Sequence, residues 1–256
     1  MCLILFAYKK HPHYPLVIAA NRDEFYERPS QAASFWDEKP NILAGRDMQD
    51  GGTWLGITKK GRFAALTNYR DPASVKKDAP SRGWLVRDIL FAETPPLQTL
   101  KKIAPAASAY NGFSLICGDM SGLYYFSNRD IPEPLELSPG FHGLSNHLLN
   151  TPWPKVERGK ETLHSYLRQT EIPDPEGISA LMMDRSKPPD EALPETGVGL
   201  LWERILSPMF ITSAEYGTRS STVILLGKGN HVIFLEKSFN SHPVPWLSTR
   251  IEFKIS

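Results

Sequence analysis

Apolar residues along this chain come in short runs broken by polar turns, and their spacing changes from stretch to stretch. Residues 3–8 and 16–20 are apolar runs joined by Lys9-Lys10-His11-Pro12-His13, which predicts two strands and a turn. Gly51-Gly52-Thr53-Trp54-Leu55-Gly56-Ile57-Thr58 and residues 62–69 form a second pair around Lys59-Lys60-Gly61, a hairpin signal. Ser81 is placed to cap a helix whose Trp84, Leu85, Val86, Ile89 and Leu90 fall on one stripe. Pro96 opens another helix running to Ile103. Strands are predicted over 113–117 and 123–127. Helical spacing of apolar positions recurs over 153–167 and 176–183, and strands close the chain at 222–226, 231–236 and 250–255. Residues 185–196 hold three prolines and many charges and read as a mobile surface loop.

This order of strands, helices, strands, helices, strands is not the βαβ alternation of a doubly wound parallel sheet. It predicts an α+β protein: two stacked antiparallel sheets with helices on their outer faces, a four-layer αββα sandwich. There is no internal repeat, low-complexity tract or linker, so residues 1–256 are expected to form one domain.

Composition narrows the function classes. Hydrophobic residues make up 41% and charged ones 22%, ordinary values for a globular chain that argue against long disorder. Lys plus Arg is 29 against 28 for Asp plus Glu, a net charge of +1 that predicts no nucleic-acid partner. No apolar segment is long enough to span a bilayer. The first apolar run precedes the first charges, the reverse of a secretory signal, so a cytoplasmic location is expected. The two cysteines, Cys2 and Cys117, are expected to stay reduced. His11 and His13 flank a proline in a polar turn and give no metal spacing, and no cofactor motif is evident.

Cys2 is the first residue with distinctive chemistry. Cysteine is small enough for removal of Met1, which would put a thiol and a free α-amine on one residue. The amine's ordinary pKa of about 7.7–8.0 lets it act as the base for that thiol. The plainer alternative is a cysteine opening a core strand. Asn21-Arg22-Asp23-Glu24 ends the second apolar run: Arg22 can hold a thiolate or carboxylate and Asp23 an ammonium, or the four form a surface turn. Asn68 and Asn146 end apolar stretches and can either donate to an oxyanion or make Asx turns. Arg219 stands just before an apolar strand, as an anion clamp or a plain surface arginine. Gly51-Gly52 lets a ligand approach the backbone or makes a bulge.

Together these segments resemble the NRDE family, also called the transport and Golgi organisation protein 2 family. The resemblance rests on Met1-Cys2-Leu3-Ile4, Ala19-Ala20-Asn21-Arg22-Asp23-Glu24-Phe25-Tyr26-Glu27-Arg28-Pro29, Gly51-Gly52-Thr53-Trp54-Leu55-Gly56, Ala65-Leu66-Thr67-Asn68-Tyr69, Tyr110-Asn111-Gly112-Phe113, Gly143-Leu144-Ser145-Asn146, Thr151-Pro152-Trp153 and Tyr216-Gly217-Thr218-Arg219. These run in order through nearly the whole chain. The resemblance implies a fold like that of the N-terminal-nucleophile hydrolases. More distantly the chain is similar to their cysteine branch, the bile-salt and penicillin V acylases, which cleave non-peptide amides.

By that pattern Cys2 is the nucleophile, Asp23 the partner of its amine, Asn146 the oxyanion donor and Arg219 the late arginine, with Asn68 at a more variable position. The acylases place an arginine three residues before the aspartate, where this chain has Ala20, and Arg22 is the nearest guanidinium. The resemblance thus implies a cysteine amidohydrolase acting on a small-molecule amide or acyl substrate. The competing implication is a non-catalytic protein that binds or traffics haem, lipid or acyl-CoA on the same fold. Cys2, His142 and His147 are of types that reach haem iron, but no Cys-x-x-Cys-His attachment motif occurs.

Overall fold

An antiparallel strand with one face against a core alternates its side chains between two environments, and the apolar runs of this chain do so strand after strand. The structure, a computed structural model, describes residues 2–129 and 133–256; Met1, and with it the expected removal of that residue, lies outside the described residues. The first half contains β1 (Cys2–Tyr8), β2 (Leu16–Phe25), β3 (Ser30–Trp36), β4 (Lys39–Asp47), β5 (Leu55–Thr58), β6 (Phe63–Asn68), α1 (Gly83–Phe91), α2 (Pro96–Ile103), β7 (Phe113–Gly118) and β8 (Leu123–Ser127). The second contains β9 (Leu135–Glu136), β10 (Gly140–Leu144), α3 (Pro154–Gln169), α4 (Pro175–Leu181), α5 (Leu200–Leu206), β11 (Tyr216–Leu226), β12 (His231–Ser238) and β13 (Leu247–Lys254). The protein is thus of the α+β class, with two antiparallel sheets and helices.

The chain divides into two compact units. The first holds the residues up to Glu27, Pro139–Ser145 and Leu149–Lys254. Its sheet has the order β10-β1-β2-β11-β12-β13, all neighbours antiparallel. Alternate residues Leu3, Leu5 and Ala7 of β1 join Val17 and Ala19 of β2, Val223 and Leu225 of β11, and Ile233 and Leu235 of β12. This face packs on Val156, Leu163 and Leu167 of α3 and on Ile178 of α4. Each such side chain contributes about 1.5–3 kcal/mol on full burial. β13, at the edge, alternates exposed and half-buried positions and carries charges at Arg250, Glu252 and Lys254, which blunts the edge.

The second unit holds Arg28–Ser138, Asn146–Leu148 and Ile255–Ser256. Its seven strands follow sequence order, β3 to β9, as an antiparallel meander. Leu85, Val86, Ile89 and Leu90 of α1 form one core with Ala64, Leu66, Leu115 and Cys117. Gly52 lies flat on the start of α1: a Cβ there would meet the Gly83 carbonyl carbon at 2.6 Å. The close approach foreseen at Gly51-Gly52 is therefore filled by the chain's own backbone.

Some expectations change. Ser81 does not cap α1 with its side chain; the cap position is Arg82, and Ser81 accepts from the Trp84 N–H through its backbone carbonyl at 3.1 Å. β3, β4, β9, β10 and α5 were not foreseen. β11 begins at Tyr216 rather than at 222, so Arg219 stands inside the strand. Residues 185–196 are anchored: Arg158 reaches the Ser186 carbonyl, Asp190 pairs with Arg204, and Thr196 donates to Glu203. No helix among the described residues is long and apolar enough to cross a membrane.

Candidate active site

Cys2 opens β1 and is the register partner of Arg22 on β2, and Arg22 is in turn the partner of Ser220 on β11. The pleat therefore puts Cys2, Arg22 and Ser220 in one row, on one face of three adjacent strands. Asn21 and Asp23 belong to the opposite face, where the helices pack. The Asn21 amide Nδ2 donates to the carbonyls of Met182 at 2.8 Å and Met209 at 2.9 Å, so it ties β2 to the segments that follow α4 and α5.

The β2–β11 register slips between Thr218 and Ser220, and Arg219 is the extra residue of that bulge. Bulging turns a residue out of the ladder's alternation. Arg219 Nη1 donates to the carbonyls of Phe25 at 2.8 Å and Tyr26 at 3.0 Å, and its guanidinium lies 6.0 Å from the Tyr26 ring centre. Burial pulls the Arg219 pKa down, and the charge of Arg22 pulls in the same direction, so the two guanidiniums are near neighbours. Gly217 precedes the bulge because the backbone of Ile211 crosses there. A Cβ would meet its carbonyl at 2.7 Å.

Asp23 is 1% exposed. Its Oδ1 accepts from Thr218 Oγ1 at 2.7 Å, and its carbonyl accepts from Tyr216 Oη at 2.9 Å. Thr218 Oγ1 accepts in turn from the Ile211 N–H at 2.9 Å. Burial pushes the Asp23 carboxyl above its ordinary range, and the strongest opposing pull comes from Lys155 on α3. The Cys2 thiol is also pushed up, first by burial and then by the Asp23 carboxylate. The chain's ammonium group, Arg22 and a hydrogen bond from the Asp23 backbone N–H pull it down. The net direction is upward. The Cys2 carbonyl accepts from Ser145 Oγ at 3.3 Å.

Cys2, Arg22, Asp23 and Arg219 thus lie together at one end of β1, β2 and β11. Asn68 and Asn146 belong to the second unit and form their own group. Asn146 is fully buried; its Nδ2 donates to the Asn68 carbonyl at 3.1 Å and its Oδ1 accepts from Arg70 Nη2 at 3.4 Å. The Arg70 N–H donates to the Asn146 carbonyl at 2.8 Å. His147 Nε2 shares a 2.7 Å hydrogen bond with Tyr69 Oη, while in the first unit His142 Nδ1 lies 3.1 Å from Asn150 Nδ2. Among the described residues no three His, Cys, Asp or Glu side chains cluster as a metal site.

Two residues escaped the sequence reading. Lys155 follows Thr151-Pro152-Trp153 and is only 3% exposed, a buried cation at a helical position where apolar residues belong. Ser220 sits in the row with Cys2 and Arg22 and is 4% exposed; its hydroxyl finds no hydrogen-bond partner among the described residues. The signal for both was a polar residue inside a buried element.

This is an α+β protein in which a cysteine opens β1, an arginine and an aspartate lie toward the end of the adjacent β2, and a second arginine sits in the bulge of β11 on the far side of β2. The chain belongs to the Transport and Golgi organisation 2 family, whose model matches residues 1–241. The Transport and Golgi organization protein 2 homolog of Bos taurus is 40% identical over 277 residues, covering 100% of this chain and 99% of that protein. The Homo sapiens homolog is 37% identical, covering 98% and 97%. The Drosophila melanogaster protein of the same name is 28% identical, covering 98% of each. Among solved structures, a C2A mutant of a conjugated bile acid hydrolase from Clostridium perfringens aligns with a TM-score of 0.45 at 10% identity, covering 99% of this chain and 92% of that one.

Proposed function

We propose that the protein is an N-terminal cysteine amidohydrolase acting on a small non-peptide amide or acyl compound. The observation that carries this reading is the convergence of Cys2, Arg22, Asp23 and Arg219 at one end of three neighbouring strands. With Met1 removed, the Cys2 α-amine takes the thiol proton and Sγ attacks the substrate carbonyl carbon. Asp23 orients the amine. The C–N bond then breaks, the ammonium returns its proton to the departing amine, and water hydrolyses the acyl-cysteine.

Arg22 supplies positive charge to the sulfur, and with Arg219 near it suits a substrate with an anionic group.

The test is turnover of a panel of N-acyl amides bearing a chromogenic leaving amine, with intact mass verifying Met1 removal. Cys2→Ala abolishes turnover, and Asp23→Ala lowers it by leaving the Cys2 amine without its partner. No turnover by the processed protein, with haem or acyl-CoA binding unchanged in Cys2→Ala, would replace this reading with that of a carrier.

A further inference from the structure

Lysine is rarely buried unless paired, because an ammonium removed from water costs several kcal/mol. Lys155 stands in the first turn of α3, on the helix face of the first unit's sheet, and is 3% exposed. Its neighbour Val156 packs in the core that includes Leu3, and Leu3 is the register partner of Asn21. The pleat puts Asp23 on that same face, two residues along β2 from Asn21. Lys155 Nζ donates to the Leu206 carbonyl at 2.8 Å. That carbonyl ends α5, and the chain then runs through Met209, which receives Asn21, to Ile211, which holds Thr218 against Asp23. One buried polar seam therefore joins α3, the segment after α5, β2 and β11, with a cation at one end and a carboxylate at the other.

We propose that Lys155 is the buried counter-charge that stabilises Asp23 as a carboxylate, and so a positioning residue for the amino group of the processed Cys2. The second half of this statement rests on the reading given above; the charge pair does not. The other groups acting on Asp23 are the chain's ammonium and Thr218, which favour the carboxylate, and Glu24, which opposes it. Cys2 and Tyr26 face it as further ionisable neighbours. Lys155 is the only side chain among the named groups that brings a positive charge. Without it, a carboxyl 1% exposed would keep the chain's ammonium and Thr218 on its side but lose the strongest charge that opposes burial and Glu24. A protonated Asp23 loses the charge-assisted hydrogen bond from an N–H of the Cys2 amine that keeps the amine's lone pair directed at Sγ.

The pair is tested without any substrate. The Asp23 carboxyl is followed by ¹³C NMR in aspartate-labelled protein, with Asp23→Asn assigning the signal. In Lys155→Met the Asp23 midpoint should rise by at least about one pH unit, the sign of removing a nearby cation, and Lys155→Arg should restore it. In the companion urea series, Lys155→Met should lower the unfolding midpoint far more beside Asp23 than in the Asp23→Asn background, where no buried carboxylate remains to be stabilised. If Lys155→Met does not fold, the pair requires that Lys155→Arg and the Lys155→Met/Asp23→Asn double variant fold. An unmoved Asp23 midpoint, strictly additive losses, or a double variant that also fails to fold would overturn the pair. A confirmed pair in a protein without turnover would remove the catalytic reading and leave the pair standing.

Discussion

At the scale of single residues, the chemistry of Cys2 is a contest between burial and charge. Burial and the Asp23 carboxylate hold the proton on sulfur, while Arg22 and the Asp23 N–H favour the thiolate. Removing the cation by Arg22→Gln should therefore raise the thiol pKa and slow iodoacetamide labelling of Cys2 at pH 8, by about tenfold for each unit of rise. An unchanged labelling rate would mean that Arg22 does not act on the sulfur. Cys117, buried in the second core and pushed strongly upward, should label only after unfolding. The places of Cys2 at the start of a strand and of Arg22 and Asp23 toward the end of its neighbour were legible in the sequence, because they bound apolar runs. Lys155 was not, because one lysine in an amphipathic helix looks like any solvated residue until burial is known.

At the scale of elements, the apolar runs announced β1, β6, β7, β8, β12 and the buried stripes of α1 and α3. They hid the first half of β11, where Tyr216-Gly217-Thr218-Arg219-Ser220-Ser221 is polar yet largely buried. Polar side chains buried inside a strand break the hydrophobic periodicity by which strands are read, so the pattern fails there. β3 was hidden for another reason: its ladder to β4 slips twice, and most of its residues are half-exposed. The β11 bulge itself depends on Gly217. Gly217→Ala would push a methyl group against the Ile211 carbonyl and the Tyr26 hydroxyl. It should cost about 1–3 kcal/mol, read as a lower urea midpoint, and release Arg219 from its fixed place. A variant as stable as the parent would show that the backbone there has room to move.

At the scale of the whole molecule, the stretch from Asn21 to Pro29 serves two purposes. Its first residues furnish the candidate site, and Arg28 staples the second unit by binding Asp47 and Asp50, each at 2.7 Å. Burial would raise the Asp47 pKa, but the Arg28 hydrogen bond and charge outweigh it and hold the carboxyl below its ordinary range. A depressed folded pKa gives stability that is present above the unfolded value of about 3.9 and is lost as pH falls through the folded value. Arg28→Ala should therefore cost about 1–2 kcal/mol at pH 7 and progressively less as the pH falls below about 4, measured by urea unfolding at each pH. A gap that stays constant with pH would remove the ion pair from the account.

The central claim is that the sulfur of Cys2, freed at the amino terminus, attacks an acyl carbon. Its most direct measurement is mass spectrometry of the protein quenched in acid during exposure to an activated acyl ester. The account predicts an intact mass lacking one methionine and an acyl group located on Cys2 in the amino-terminal peptide. The adduct should be absent in Cys2→Ala and should decay on return to neutral pH. A chain that keeps Met1, or acylation spread over surface lysines with none at Cys2, would contradict it.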